Sequence, residues 1–174
     1  MNSNKNSLPL VSIIMGSTSD LPVMEKAMKF LDEMEIPFEV NALSAHRTPE
    51  AVESFAKGAS VRGIKVIIAG AGMAAALPGV IAASTTLPVI GVPIKGSVLD
   101  GVDALYSILQ MPPGIPVATV AINGAMNAAI LACQMISLYD EALAKKMATY
   151  KSGLSKKIEK ANQDLAQLEY KFKV

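Results

Sequence analysis

A single histidine, His46, stands beside Arg47 in the segment Ser44-Ala45-His46-Arg47-Thr48-Pro49. An imidazole takes and returns protons near neutral pH. A guanidinium grips phosphate or carboxylate through paired donors and a permanent charge. Side by side they suggest proton transfer on an anionic small molecule, with His46 as acid/base; a plain surface histidine is the alternative. A second segment, Gly16-Ser17-Thr18-Ser19-Asp20, lets the backbone turn at Gly16 and offers amides and hydroxyls to a phosphate. The same residues also make an ordinary helix cap, and no Gly-Lys-Ser/Thr phosphate-loop pattern follows. A third segment runs Gly70-Ala71-Gly72-Met73-Ala74-Ala75-Ala76-Leu77-Pro78-Gly79. Its small side chains would let a flat ligand lie on the backbone, or would serve close helix–sheet packing. No Cys/His cluster or acidic group at metal spacing occurs, so no metal is expected.

These segments need a scaffold that brings them together, and the hydrophobic pattern supplies one. Short apolar runs read as strands at Leu8–Met15, Phe38–Leu43, Ile64–Ala69, Leu87–Val92 and Val117–Ile122. Helical spacing follows each. Val23, Ala27, Phe30, Leu31 and Met34 share one side after the first strand. Thr48 before Pro49 and Glu50 reads as a hydroxyl cap with proline at the first helical position. Met111-Pro-Pro-Gly-Ile-Pro116 interrupts regular structure before the fifth strand. Strand–helix alternation with Val- and Ile-rich runs predicts an α/β, three-layer parallel sheet with helices on both faces. Right-handed crossovers then put every strand-to-helix loop at one sheet edge, where ligands bind.

The totals are consistent with this. The chain has 174 residues, 51% hydrophobic and 18% charged, with 16 basic against 15 acidic side chains. One domain fits comfortably. The near-neutral balance gives no field to gather nucleic acid, so no nucleic-acid partner is expected. Mean hydropathy is high, +0.38, yet no apolar run approaches the roughly 20 residues of a membrane span. No membrane partner is expected. The lone Cys133, in an apolar helical run, reads as a buried thiol, which points to the reducing cytoplasm.

The expected organisation is a frayed polar tail at 1–8, a single catalytic domain at 9–150 and a C-terminal helical extension at 151–174. In that extension Leu154, Ile158, Ala161, Leu165, Leu168 and Phe172 recur at spacings of four and three. This amphipathic seam is expected to pack on the body or on a neighbouring subunit.

Taken together, Val11–Asp20, Leu43–Pro49, Leu77-Pro-Gly-Val80, Pro88-Val-Ile-Gly-Val-Pro93, Gln110–Ile122 and Asn127-Ala128-Ala129 closely resemble the class I 5-(carboxyamino)imidazole ribonucleotide mutases. An older name for the family is the catalytic subunit of phosphoribosylaminoimidazole carboxylase. The likeness covers roughly residues 9 to 140. It implies a flavodoxin-like fold, a homo-octamer and a role in purine biosynthesis without metal or organic cofactor. The carboxylate on the exocyclic nitrogen of a ribonucleotide would move to carbon 4 of the imidazole, with carbon dioxide as intermediate. By resemblance His46 is the acid/base, Ser17 and Arg47 lie near the phosphate, and Asp20 lies near the ribose. The Gly70–Ala75 segment would close on the base. Gly16, Ser19, Ser44, Gly70, Ala71, Gly72, Ala74 and Leu77 complete the expected substrate-binding set. Many members carry histidine where this chain has Ala76, so proton traffic is expected at His46 alone. Two other readings stand beside this one: the class II enzyme that carboxylates aminoimidazole ribonucleotide with free carbon dioxide, and a non-catalytic ribonucleotide-binding protein.

Overall fold

The computed structural model of the chain describes residues 8–174. The tail expected at 1–8 lies outside them except for the exposed Leu8. The elements are β1 (Val11–Met15), a 3-10 turn (Thr18–Asp20), α1 (Leu21–Glu33), β2 (Phe38–Ala42), α2 (Pro49–Gly58), β3 (Val66–Gly72), α3 (Leu77–Ser84), β4 (Val89–Ile94), α4 (Val102–Leu109), β5 (Ala118–Thr119), α5 (Ala125–Ser137) and α6 (Glu141–Ala166).

The five strands form one parallel sheet in the order β2-β1-β3-β4-β5. That is the flavodoxin-like order, in which the chain reverses direction across the sheet between β1 and β3. β1 and β4 are buried along their whole length, as expected for strands covered on both faces. Alternation assigns the faces. Ile14, Ile67, Ala69 and Val89 pack with Val52 and Ala56 of α2, Ile81 of α3 and Ile108 of α4. Gly70, which points the other way, lies under Met24 of α1. β2 is a partly exposed edge strand. Glu39 anchors it, accepting from the Ser12 hydroxyl at 2.9 Å and pairing with Arg62 at 2.9 Å.

Several boundaries differ from the sequence reading, each for a physical reason. β3 does not stop at Ala69 but runs through Gly70-Ala71-Gly72, whose backbone pairs with Val92, Pro93 and Ile94. The glycines are sites of close approach: a Cβ on Gly70 would stand 2.5 Å from Met24 Sδ. Only Met73–Ala76 remains as loop. β5 is two residues long instead of six; the prolines that precede it and Asn123, at φ +58°, limit the ladder to this short stretch. Thr48 occupies the N-cap of α2 but makes no side-chain cap bond. Pro49 does stand at the helix start.

The chain divides into two compact units, one ending at Ile136 and the other Ser137–Val174. α6 begins at Glu141, capped by the Asp140 carboxylate on the Leu143 amide at 3.0 Å, and passes unbroken through residue 150. Leu154, Ile158 and Leu165 are exposed on it. Leu168 and Phe172 lie beyond its end, where the Lys173 ammonium donates to the carbonyls of Leu165, Ala166 and Leu168. Among the described residues no helix is long and apolar enough to cross a membrane.

Packing at the sheet centre sets a test. A Cβ on Gly91 would meet Ile108 Cγ2 at 2.4 Å and Val117 Cγ1 at 2.9 Å, whereas one on Gly153 in α6 meets nothing within 4 Å. Gly91→Ala is expected to cost about 1–3 kcal/mol by overpacking, while Gly153→Ala should stabilise its helix by up to about 1 kcal/mol. Urea unfolding followed by circular dichroism distinguishes the two.

Candidate functional site

The carboxyl ends of β2, β1, β3 and β4 lie side by side, and the segments that leave them surround one cavity of about 350 Å³. After β1, Gly16 turns the chain into the 3-10 turn. Ser17 and Asp20 form a reciprocal cap. The Ser17 hydroxyl accepts from the Ser19 amide at 3.3 Å, and Asp20 Oδ2 accepts from the Ser17 amide at 3.1 Å. The plain cap reading of this segment is therefore correct, and the cap also lines the cavity.

After β2 the chain closes a small loop on itself. The Thr48 hydroxyl donates to the Ser44 carbonyl at 3.0 Å and accepts from the Ser44 amide at 3.1 Å. The Thr48 amide reaches the same carbonyl at 2.8 Å, and the Ser44 hydroxyl accepts from the Arg47 amide at 3.3 Å. Thr48 thus ties the loop that presents His46 instead of capping α2. Arg47 Nη2 donates to the Gly16 carbonyl at 3.1 Å, joining the β1 and β2 loops across 31 residues of chain. His46 and Arg47 are both solvent-exposed at the cavity wall.

The third wall is the end of β3 and the short loop after it. Met73 stands at φ +55°, a left-handed conformation that costs a non-glycine residue about 1 kcal/mol or more. Ala76 is the N-cap of α3 and faces the cavity where the resemblance anticipates histidine.

Of the expected residues, Gly16, Ser17, Ser19, Asp20, Ser44, His46, Arg47, Ala71, Gly72, Ala74 and Leu77 line this cavity. Gly70 does not; it is buried in the sheet beneath Met24. Ile94, Lys95 and Gly96 line the cavity without having been singled out. Their signal was the strand-end rule itself, masked because Pro93 makes β4 read two residues too short. Among the described residues no group of His, Cys, Asp or Glu could hold a metal ion. Cys133 is buried far from solvent, and desolvation pushes its thiol up to about 11.

Among the cavity's charged side chains, Asp20 is the one acidic group, beside Arg47 and Lys95. Asp20 is 8% exposed. Burial holds its carboxyl above the ordinary 3.8, against the lowering pull of the Ser17 amide, the Ser19 hydroxyl and the Gly16 amide. A carboxyl whose folded value exceeds its unfolded one favours folding in its protonated form. Relative to the non-titrating Asp20→Asn, the wild type should therefore gain stability as pH falls from 7 through that raised value. The gain should be complete below 3.8. Denaturant midpoints for both proteins across pH 7 to about 3.5 check the sign.

Residues 10–157 match the family model described as AIR carboxylase. A phosphoribosylaminoimidazole carboxylase of Candida glabrata is 56% identical over 169 residues; these are 97% of this chain, and the chain spans 29% of that relative's length. An N5-carboxyaminoimidazole ribonucleotide mutase of Pyrococcus horikoshii is 52% identical over 166 residues, covering 95% of this chain and 94% of the relative. The crystal structure of Treponema denticola PurE superposes with a TM-score of 0.82 at 34% identity, covering 90% of this chain and 98% of that one. With its order of strands, its cavity and these matches in agreement, the chain belongs to the AIR carboxylase family.

Proposed function

We propose that this chain is an N5-carboxyaminoimidazole ribonucleotide mutase of purine biosynthesis, an isomerase that moves a carboxyl group from the exocyclic nitrogen to carbon 4. The observation that carries the reading is the meeting of His46, Arg47, Ser17 and Asp20 on one cavity at the sheet's carboxyl edge. Support also comes from the near full-length match to a relative bearing that name. In this reading the phosphate rests on the amides and hydroxyls of Gly16–Ser19 beside Arg47. The ribose hydroxyls donate to Asp20, whose oxygens have lone pairs left beyond those given to Ser17 and Ser19. The ring then lies between the His46 loop and the Ala71–Ala75 segment, with Ser44 and Leu77 at its borders.

The chemistry is a cleavage followed by a carbon–carbon bond. As the bond from the exocyclic nitrogen to the carboxyl carbon breaks, the nitrogen gains a proton and carbon dioxide is released into the cavity. Carbon 4 attacks the carbon dioxide and loses its own proton. One proton enters and one leaves, so a single group can carry both, and His46 is the imidazole in position. Small apolar walls at Met73, Ala74 and Ala75 keep the captured gas near the ring, raising its effective concentration.

The name of the Candida glabrata relative, a carboxylase, favours one further possibility, direct carboxylation of aminoimidazole ribonucleotide by free carbon dioxide. The unit ending at Ile136 would carry catalysis either way. The C-terminal segment, with its exposed Leu154, Ile158 and Leu165, would serve assembly into a homo-octamer. A buried free thiol at Cys133 suits the cytoplasm.

Supplying the purified protein with the carbamate ribonucleotide, and separately with aminoimidazole ribonucleotide plus carbon dioxide, separates the two reactions; turnover on the carbamate is expected. His46→Asn should lower that turnover by about 10²–10⁴-fold while ligand binding is kept. An unchanged rate would sink the mechanism. Ala76→His should leave the rate at the wild-type level, since His46 carries both transfers.

A further inference from the structure

Besides His46, the cavity is lined by three charged side chains: Arg47, Asp20 and Lys95. The first two belong to the β1–β2 end. Lys95 follows β4 directly, at the opposite end, beside Gly72, Met73 and Gly96. In the order β2-β1-β3-β4, β1 and β4 are two strand spacings apart, or about 10 Å. A ribonucleotide laid with its phosphate on Gly16–Ser19 and its ring across β3 therefore points the ring's outer substituents toward Lys95.

The charges need this second cation. The substrate brings a phosphate and a carboxylate into a cavity that already holds Asp20, and Arg47 is committed to the Gly16 side through its bond to that carbonyl. Lys95 is held ready for an anion. Its ammonium pairs with Asp100 Oδ1 at 2.8 Å, both side chains being largely exposed. Such a pair is weak and yields to an anion in a better site. Its backbone is clamped as well. The Lys95 amide donates to Asn123 Oδ1 at 2.9 Å, and the Asn123 amide donates to the Pro93 carbonyl at 2.8 Å. Asp100 and Asn123 stand at φ +52° and +58°, and a Cβ on Gly101 would come within 3.0 Å of Lys95 Cα. Two residues in costly left-handed conformations thus hold one lysine at the cavity's far end.

We infer that Lys95 is the counter-ion of the migrating carboxylate, with Asp100 as the anion it exchanges for substrate and Asn123 as its positioning residue. The inference rests on the reading of the site given above. It concerns specificity: Lys95 distinguishes a carboxylated imidazole ribonucleotide from the same nucleotide without the carboxyl group.

Calorimetric binding of two probes tests it, with His46→Asn as the parent so that nothing turns over. The probes are 4-carboxy-5-aminoimidazole ribonucleotide and 5-aminoimidazole ribonucleotide. Adding Lys95→Met should weaken the carboxylated probe about 10- to 100-fold, the loss typical of a hydrogen bond to a charged group. The uncarboxylated probe should change by less than about threefold, because the phosphate common to both is held elsewhere. Lys95→Gln should repeat the result, and it guards against a fold effect of the methionine. Asp100→Asn should tighten the carboxylated probe alone. Equal losses of both probes, or no loss of either, would overturn the assignment of Lys95. Failure of both probes to bind the parent would instead overturn the ribonucleotide reading.

Discussion

Parallel strands can pair only if the chain returns across a face of the sheet after each one, and that constraint organises everything else here. Each return begins at the same edge, so segments far apart in sequence leave the sheet as neighbours. The register shows how tight this is: Met15, Ala42 and Gly70 are direct partners across three strands. Gly16, Ser44 and Ala71, which follow them within two residues, all line one cavity. The Arg47–Gly16 hydrogen bond then converts proximity into a fixed relation between two of the loops.

Within that rim, polar groups are arranged by solvation as much as by contact. Asp20 is the most enclosed ionisable group lining it and is surrounded by donors from its own turn. His46, Arg47 and Lys95 are all open to water. Charged groups near solvent are cheap to hold and easily re-partnered. A buried one needs a complete set of hydrogen bonds and in return stays put. The result is one enclosed acidic corner with basic side chains open to water around it.

Legibility in the sequence followed the same division. The alternation of apolar runs with helical spacing was enough for the parallel sheet, because residues buried on both faces leave a continuous signature, as in Val66–Ala69 and Val89–Val92. His46 and Arg47 were legible because their chemistry is rare and their neighbours mark a strand end. Tertiary pairing was not. Gly70-Ala71-Gly72 looks like a loop by composition, yet its backbone is claimed by β4, where it needs only room for Met24 and Ile94. Thr48 has the type and place of a cap, but the Ser44 carbonyl and amide compete for its hydroxyl and win. Lys95 was invisible because an exposed lysine after Val-Pro-Ile is unremarkable until the sheet order places it opposite Arg47.

The chain's one sulfhydryl closes the picture from another side. Cys133 sits on the small-residue face of α5 with Ala129 and Ala132, fully out of water's reach and with its proton firmly retained. Electrophiles and oxidants attack the thiolate, so they find nothing to react with while the helix is seated. Its rate of chemical damage is therefore governed by how often the surrounding structure opens, not by any property of the sulfur itself. Oxidants reach this thiol only through opening of the fold around it.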